Sequence, residues 1–128
     1  MEHPPPKNIR TDRISGTAAK LLAAYVQWHS ITRHIPKMRR YSLGIRIDAL
    51  FAELVELIAA AQFAPSLERP PLLARAIARN DVLKFMLTAL WELEGIGETR
   101  FSDLSARLEE IGRMLYGWKH QAGRHTGA

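Results

Sequence analysis

Residues 43–63, "LGIRIDALFAELVELIAAAQF", decide the fold because they carry the clearest helical period in the chain. Apolar side chains recur there at spacings of three and four residues, the pattern of one buried helix face. At about 100° per residue, Arg46, Glu53 and Glu56 lie on the opposite face. The pattern predicts an amphipathic helix over about 39–63. Its apolar stripe consists of Leu43, Ile47, Leu50, Phe51, Leu54, Leu57, Ile58 and Ala61.

A helix with one apolar stripe needs partners, and three further segments carry the same period. Pro36 ends the first of them, and Ser102 is a candidate N-cap for the last. The predicted segments are helix one over 15–35, helix three over 71–94 and helix four over 103–121. Four helices of about 20 residues joined by short connections predict an all-α fold, an antiparallel up-down-up-down four-helix bundle.

The two ends of the chain differ from the predicted bundle, which spans residues 15–121. Three consecutive prolines lie in the polar, basic stretch "MEHPPPKNIRTDR", which has no helical period. Residues 1–14 are therefore predicted to form a flexible basic N-terminal arm. Residues 122–128 are predicted to form a flexible C-terminal tail.

Composition places the chain among ordinary globular domains. Of its 128 residues 47% are hydrophobic and 24% charged, which is too apolar for intrinsic disorder. The absence of cysteine excludes disulfides, thiolate zinc sites and a cysteine nucleophile. Neither a secretory signal pattern nor an apolar run of about 18 residues is present. The sequence therefore predicts a soluble, cytoplasmic protein without a membrane partner.

Catalytic and metal-binding patterns are missing from the sequence. Di-iron helical bundles need Glu-x-x-His pairs, and none occurs here. There is no Walker loop, dinucleotide fingerprint or serine-centred elbow. Glu53 and Glu56 are expected to be solvated carboxylates, and His29 is expected to be exposed or hydrogen-bonded. We therefore expect no enzyme activity, no cofactor and no metal site.

Positive charge is concentrated in the first third of the chain. Residues 1–40 hold eight lysines and arginines against two acids, while the whole chain has a net charge of +5. A concentrated positive field favours a polyanionic partner. Cations at a helix start oppose the helix dipole by roughly 0.3–1 kcal/mol each, which an anion would relieve. The alternative is that the basic segments only aid solubility.

Three groups of cations are candidates for contact with phosphates. The first surrounds the turn between helices one and two, where guanidinium groups and backbone N–H groups meet. The second lies along helix three, where Asp81 intervenes and a solvated, charge-balanced face is the better interpretation; the third lies along helix four and includes Arg124. Because no helix-turn-helix, zinc-finger or RNP motif is present, binding should be directed to the nucleic-acid backbone. The candidate residues are Arg33, Lys37, Arg39, Arg40, Arg46, Arg79, Arg113 and Lys119.

Helix three is apolar over more of its circumference than one bundle core needs. Its second half spreads apolar side chains over roughly 240° of arc, and Phe85, Met86 and Trp91 form the surplus. Large exposed apolar patches usually mark interfaces. These three residues therefore predict a homo-oligomer interface, unless the chain ends cover them. Ile45 and Phe63 are predicted to be exposed as well.

Two glycines and one asparagine concern the contacts between helices. Gly44 and Gly112 each cost about 1 kcal/mol inside a helix relative to alanine, which favours close approach of helix backbones at both positions. Asn80 either fixes the register of the bundle from a buried position or is exposed near the start of helix three.

Several short motifs, taken in order, resemble a known family. "IPKMRRYSLGIRI" followed by "LFAELVELI", and "LEEIGRMLYGW" in the last helix, are similar to the four-helix-bundle proteins that include the accessory variability determinant (Avd) of diversity-generating retroelements. The same superfamily includes proteins encoded by intervening sequences in bacterial 23S ribosomal RNA genes. The likeness spans about residues 20–119. Its matching basic positions are Lys37, Arg46 and Arg113, with looser matches at Arg39 and Arg40.

The resemblance implies a ring-shaped homopentamer with a basic surface and no catalysis of its own. It also implies association with the reverse transcriptase of the retroelement and with RNA and DNA, so that error-prone complementary DNA is made for mutagenic retrohoming. Two alternatives stay open at this point. One is a protein of the ribosomal intervening-sequence type, and the other is a structural docking module without a nucleic-acid role.

Overall fold

The computed structural model describes residues 15–125, and every regular element in that range is helical. The predicted arm and residues 126–128 of the predicted tail lie outside the described residues. No helix that the structure describes is both long and apolar enough to span a membrane. The helices are α1 (Gly16–Thr32), α2 (Lys37–Arg39, a π-helical turn Arg40–Gly44, then Ile45–Phe63), α3 (Arg69–Glu92, after a 3-10 turn Ser66–Glu68) and α4 (Glu98–His125).

The four helices pack against one another around an apolar core, as the sequence predicted. Helix α1 contacts α2 and α4, and α3 also contacts both of them. The stripe of α2 faces inward, with Leu43 and Leu57 partly buried at its borders. Each large apolar side chain removed from water in this way contributes about 1.5–3 kcal/mol. The fully buried members of the stripe are Ile47, Leu50, Phe51, Leu54, Ile58 and Ala61.

Helix α1 begins at a side-chain cap and ends before the predicted boundary at 35. The Ser15 hydroxyl accepts a hydrogen bond from the Ala18 N–H at 3.0 Å, as an N-cap residue does. The Ser15 N–H donates to Gln62 Oε1 at 3.0 Å, which joins the start of α1 to the end of α2. After Thr32 the chain leaves the helix in a turn, and this turn carries Ile35 into the core.

Helix α4 is longer at both ends than the sequence predicted, so the N-cap assignment of Ser102 is wrong. The helix starts at Glu98, and the Phe101 N–H already donates to the Gly97 carbonyl at 2.9 Å. The Phe101 ring stacks on Trp91 of α3 with centroids 4.9 Å apart. This contact packs the extra first turn against α3. At the other end the helix continues past the predicted boundary at 121 to His125 and buries Ala122.

The end of α3 carries a backbone conformation that side chains rarely adopt. Glu94 has a φ of 60°, in the left-handed region. The N–H groups of Glu94 and Gly95 donate back to Trp91 and Leu90 carbonyls at 2.9 and 2.8 Å, the pattern of a Schellman cap. Gly95 is required for a different reason, because a Cβ there would overlap the Leu90 side chain.

The predicted close approach of another helix is wrong at Gly44, and at Gly112 the neighbouring helix comes close through a side chain. A Cβ at Gly112 would lie 3.2 Å from Nδ2 of Asn80, which is buried in α3. The same Nδ2 donates to the Leu108 carbonyl of α4 at 3.1 Å. Of the two positions that the sequence allowed for Asn80, buried or exposed, the structure shows the buried one. At Gly44 the nearest atoms belong to Arg39 and Arg40 of its own helix.

The π-helical turn changes the relation between the two halves of α2. It comprises Arg40–Gly44, and it lies between Arg39 and Arg46. A π turn inserts one extra residue, which rotates later side chains by about 100° relative to an uninterrupted α-helix. On an uninterrupted α-helix Arg39 and Arg46, seven residues apart, would lie on the same side about two turns from each other, and the π turn removes that alignment.

Candidate nucleic-acid interface

The structure separates the predicted phosphate-binding residues into two patches and one isolated arginine. The first, here called the turn patch, comprises Arg33, Lys37, Arg39, Arg40 and Arg46 around the connection between α1 and α2. The second, the tail patch, comprises Arg113, Tyr116, Lys119, His120 and Arg124 on the second half of α4. Arg79 belongs to neither and lies on α3.

Two arginines of the turn patch are engaged with the protein's own backbone. Arg40 donates through Nη2 to the Ile35 carbonyl at 3.1 Å, and its Nε is buried without a hydrogen-bond partner in the described part of the chain. Arg39 lies within 3.4 Å of the Leu93 carbonyl through Nε. Carbonyl groups at helix ends need such donors. These two side chains therefore satisfy the ends of α1 and α3 before they can serve a ligand.

Carboxylates of another connection share the same end of the bundle. The turn between α3 and α4 carries exposed Glu94 and meets the α1–α2 turn around a cleft of about 340 Å³. His34 and Arg100 also line this cleft. Glu92 and Glu98 lie beside it in sequence and are exposed. The charge at this end is therefore mixed, although no acid interrupts residues 33–40 in the sequence.

The three remaining cations of the turn patch are exposed. Arg33, Lys37 and Arg46 form no ion pair with a carboxylate among residues 15–124. The first turn of α2 lies beside Lys37 and presents backbone N–H groups that lack a helical partner. Arg33, Lys37 and Arg46 are the part of this patch that is available to an anion.

Two cations of α3, Arg79 and Lys84, are paired with acids, which fits the charge-balanced interpretation, whereas Arg75 is exposed and has no ion pair among residues 15–124. Arg79 Nε lies 2.8 Å from Glu53 of α2. Lys84 Nζ lies 3.4 Å from Asp81 and 3.1 Å from Glu109 of α4. Burial lowers the pKa of Lys84, but hydrogen bonds and charge from Glu109 and Asp81 outweigh it and raise the pKa overall. Arg79 is thus the weakest of the predicted nucleic-acid contacts.

The tail patch combines unpaired cations with an exposed aromatic ring. Arg113, Tyr116, His120 and Arg124 follow one another at spacings of three and four residues, so they share one face of α4. The Tyr116 side chain is 61% exposed. No aspartate or glutamate occurs in residues 111–124. A cleft of about 410 Å³ on this surface is lined by Pro70, Tyr116, Lys119, His120, Gly123 and Arg124.

The tail patch lies far from the turn patch along the bundle. Arg100 borders the cleft beside the turn patch, and Lys119 borders the cleft of the tail patch. The 19 residues between them on one helix correspond to about 28 Å. The predicted basic residues of the two patches therefore form two separate sites and not one continuous surface.

Two glycines of the tail region have no packing reason within the described fold. A Cβ at Gly117 or at Gly123 would meet no atom within 4 Å. Each glycine nevertheless costs a helix interior about 1 kcal/mol relative to alanine. The sequence interpretation missed these glycines together with Tyr116 and His120. The sequence feature that could have revealed them is the segment after Glu110, which contains no acidic residue and in which aromatic, basic and glycine residues are mixed.

The predicted interface residues on α3 differ in exposure. Phe85 is 78% exposed, whereas Met86 is partly buried against the core and Trp91 is occupied by its stacking on Phe101. Most of the surplus apolar arc is thus used inside the bundle, since α3 packs against both α2 and α4. The role of the three residues in an interface stays a prediction.

Helix α2 carries exposed apolar side chains on its outward face, beside charged ones. The predicted exposure of Ile45 and Phe63 is confirmed, at 58% and 84%. Between them the exposed positions include alanines and two charged residues, Arg46 and Glu56. On neighbouring α1, Val26 is 70% exposed. The apolar residues of the α2 face are Ile45, Ala49, Ala52, Ala59, Ala60 and Phe63.

A titratable cluster that the sequence did not announce joins α1 to α2. His29 Nε2 lies 3.3 Å from Asp48, so the expectation that His29 is exposed or hydrogen-bonded is confirmed. The Tyr25 ring is 4.8 Å from that of His29, centroid to centroid. Burial raises the pKa of Tyr25, and the charge and hydrogen bond of Asp48 raise it further. A tyrosine in this state remains protonated at neutral pH.

Comparisons with known proteins place the chain in no family. No protein-family model matches it, and no curated protein is significantly similar to it. The resemblance described above therefore rests on the quoted motifs alone. Among the residues that the structure describes, no group of three or more histidines, aspartates or glutamates is placed to hold a metal ion.

Proposed function

We propose that this protein is a non-catalytic helical bundle that binds nucleic acid through its phosphate backbone. The observation that carries the proposal is a set of exposed cations without a carboxylate partner in the described fold. Salt-labile contacts of this kind supply most of the affinity in sequence-independent binding. In the two patches these cations are Arg33, Lys37, Arg46, Arg113, Lys119 and Arg124, of which Lys119 is partly buried. Outside the patches, Arg75, Arg100 and Arg107 are also exposed and have no ion pair among residues 15–124.

The arrangement favours backbone contacts over base reading. The cations are divided between two patches about 28 Å apart along α4. Guanidinium groups form paired hydrogen bonds with phosphate oxygens, and an ammonium group acts as a point charge. A strand that reaches both patches would contact more phosphates than one patch offers. The protein would then bind long nucleic acid more tightly than short fragments.

A comparison of unpaired with paired cations tests the proposal. Replacing Arg113, Lys119 and Arg124 by glutamine removes three unpaired charges. Replacing Lys20, Arg79 and Lys84 by glutamine removes three charges that pair with acids, at 3.5, 2.8 and 3.1 Å. We expect fluorescence anisotropy with a labelled oligonucleotide to show a much larger loss for the first triple variant. Equal losses would mean that only net charge matters, and would contradict the proposal.

The more specific role that we propose is that of an accessory subunit of a retroelement reverse transcriptase. It rests on the resemblance of the quoted motifs, which also implies RNA template and complementary DNA as ligands. The DNA beside the gene tests it. A reverse-transcriptase gene with paired template and variable repeats is the expected finding. A ribosomal RNA gene at that place would favour the intervening-sequence type of protein.

We also propose that the helices follow an antiparallel up-down-up-down topology and that the chain forms a homo-oligomer, a pentameric ring if the resemblance holds. The hydrogen bond from Ser15 to Gln62 and the contact between His29 and Asp48 support opposite directions of α1 and α2. The apolar face of α2 supports a contact between copies. Light scattering on the purified protein should give a mass several times that of one chain. A mass of one chain, even at high protein concentration, would contradict the proposed homo-oligomer.

A second candidate function is protein docking without any nucleic-acid role, and the same face of α2 favours it. Ile45 and Phe63 are 58% and 84% exposed there, and exposed alanines lie between them on the same helix. A protein that assembles or captures a partner but ignores oligonucleotides at low salt would support this candidate. Binding to oligonucleotides that depends on the unpaired cations would support the first proposal.

A further inference from the structure

We propose that the tail patch is a site for single-stranded nucleic acid, in which a base stacks on Tyr116 while phosphates contact Arg113, Lys119 and Arg124. The inference rests on the proposed function and deepens it, because it names the class of ligand and one of the two sites. Its starting point is an aromatic ring and three unpaired cations on one stretch of helix.

The ring of Tyr116 is available to a ligand. It is 61% exposed, and it takes part in no ring-stacking or cation–π contact among the described residues. The rings of Tyr25, Trp91 and Phe101 all stack within the bundle instead. Bases stack on such free aromatic side chains with little regard to sequence.

The cations around Tyr116 are spaced for a strand that lies along the helix. Arg113 and Lys119 are three residues before and after the tyrosine, so each is its neighbour on the helix surface. Arg124 follows two turns beyond the ring. The distance from Arg113 to Arg124 along the axis is about 17 Å, which corresponds to about five stacked nucleotides.

The surface beside the ring is open to a backbone. Gly117 follows Tyr116 directly, and a side chain there would meet nothing of the protein within 4 Å. Gly123 lines the same cleft as Tyr116. Glycine permits close approach of a ligand backbone, which gives these positions a use that the packing of the bundle does not give them.

Stacking on a protein ring distinguishes single strands from duplexes. The bases of a duplex are already stacked on one another and are not presented to a helix surface. Unpaired bases can be splayed out and placed on an aromatic ring. Tyr116 should therefore contribute to the binding of single strands and not to the binding of duplexes, whereas the cations should contribute to both.

Tyr41 provides a matched control because it is exposed to the same degree, at 62%. It lies in α2 beside Arg39 and Arg40, which are bonded to backbone carbonyls. If exposure of a tyrosine in a basic sequence were enough for stacking, Tyr41 would bind as well as Tyr116. The proposal expects it to contribute nothing.

The experiment measures anisotropy of labelled oligothymidylate, oligouridylate and a duplex, each of about twelve nucleotides or base pairs, within the site sizes of sequence-tolerant binders. We expect Tyr116→Ala to weaken binding of both single strands about tenfold, in line with stacking energies, and of the duplex less than about twofold. Tyr116→Phe should bind like the wild type, and so should Tyr41→Ala. The oligothymidylate and oligouridylate arms show whether DNA or RNA is preferred.

Several results would overturn the inference. Wild-type affinity of Tyr116→Ala for single strands, an equal loss for the duplex, or an equal loss in Tyr41→Ala would each do so while the proposed function stands. Wild-type protein that binds none of the three probes would overturn the proposed function itself. Circular dichroism of each variant confirms that an affinity change does not come from loss of the fold.

Discussion

The turn patch and the tail patch hold similar numbers of basic side chains, but their side chains are used differently. In the turn patch, Arg39 and Arg40 bind the carbonyls of Leu93 and Ile35, and glutamates of the neighbouring connection share that end of the bundle. In the tail patch the cations have no such partners within the described residues. A run of basic residues in sequence is therefore a poor measure of the charge available in space.

The difference follows from the position of each patch in the helices. A turn between helices exposes carbonyl groups that have no helical partner, and nearby arginines bond to them. The middle of a long helix satisfies its own backbone, so Arg113 and Lys119 leave their charges on the surface. The cations that are most concentrated in the sequence, next to the start of α2, are partly structural, whereas Arg113 and Lys119 have no ion pair among residues 15–124.

The largest expected effect is a difference between the two patches in their contribution to nucleic-acid binding, with the tail patch contributing more. The triple variant Arg113→Gln, Lys119→Gln, Arg124→Gln should lower the slope of log affinity against log salt by about 2, since each phosphate contact with a single strand contributes about 0.7. Anisotropy titrations at several salt concentrations measure this slope.

The matched control is the triple variant Arg33→Gln, Lys37→Gln, Arg46→Gln, which removes the same charge from the turn patch. We expect its slope to fall by about 1 or less, because the carboxylates nearby already weaken the field there. A larger loss in this variant than in the tail variant would reverse the comparison between the patches.

The next effect concerns stability, and it should appear in the turn patch alone. Arg40→Gln removes the hydrogen bond to Ile35 and should lower the free energy of unfolding by about 1.5–3 kcal/mol, the size of a hydrogen bond with a charged donor. Arg33→Gln should change it by less than about 0.5 kcal/mol, as surface substitutions do. Urea denaturation measures both, and equal stabilities would show that Arg40 is as free as Arg33.

A third effect compares two glycines of α4. Gly117→Ala should raise the free energy of unfolding by up to about 1 kcal/mol, because alanine favours the helix and nothing obstructs its Cβ. Gly112→Ala should lower it, because the buried Asn80 amide, 3.2 Å away, would have to move from its bond to Leu108. Thermal unfolding of the two variants checks the signs, and a gain at Gly112 would show that α3 and α4 can separate at low cost.

The smallest effect is expected at the strained residue that ends α3. Glu94→Gly relieves a left-handed conformation that costs other residues about 1–2 kcal/mol, but glycine loses about 0.5–1 kcal/mol through its greater freedom when unfolded. A net gain of about 0.5 kcal/mol is expected in urea denaturation. A loss of stability would mean that the Glu94 side chain makes a contribution larger than the strain.

Much of the fold could be predicted because the period of the apolar residues is a local property. The stripe of α2 from Ile47 to Ala61 and the number of helices follow from spacing alone. The boundaries were less accurate where tertiary contacts decide them. Stacking of Phe101 on Trp91 holds the first turn of α4. The sequence around Ser102 does not reveal this contact, so the predicted start of the helix was too late.

The candidate site was less predictable, since its character depends on residues that are distant in sequence. Nothing near Arg79 predicts its pair with Glu53, 26 residues away, and nothing near Arg40 predicts that glutamates of another turn share its end of the bundle. Asn80 had two possible positions, and only the packing of α3 on α4 decides between them. The tail patch could have been found from its lack of acids after Glu110.

The salt dependence of nucleic-acid binding by the unmodified chain tests the central claim most directly. Titration of the protein into a labelled single strand of about twelve nucleotides, at salt concentrations from low to above physiological, gives the slope of log affinity against log salt. If all six unpaired cations of the two patches contact phosphates, at about 0.7 each, its magnitude is about 4, and we expect a value between about 2 and 4. Absence of binding at low salt, or an affinity that does not change with salt, would contradict the account.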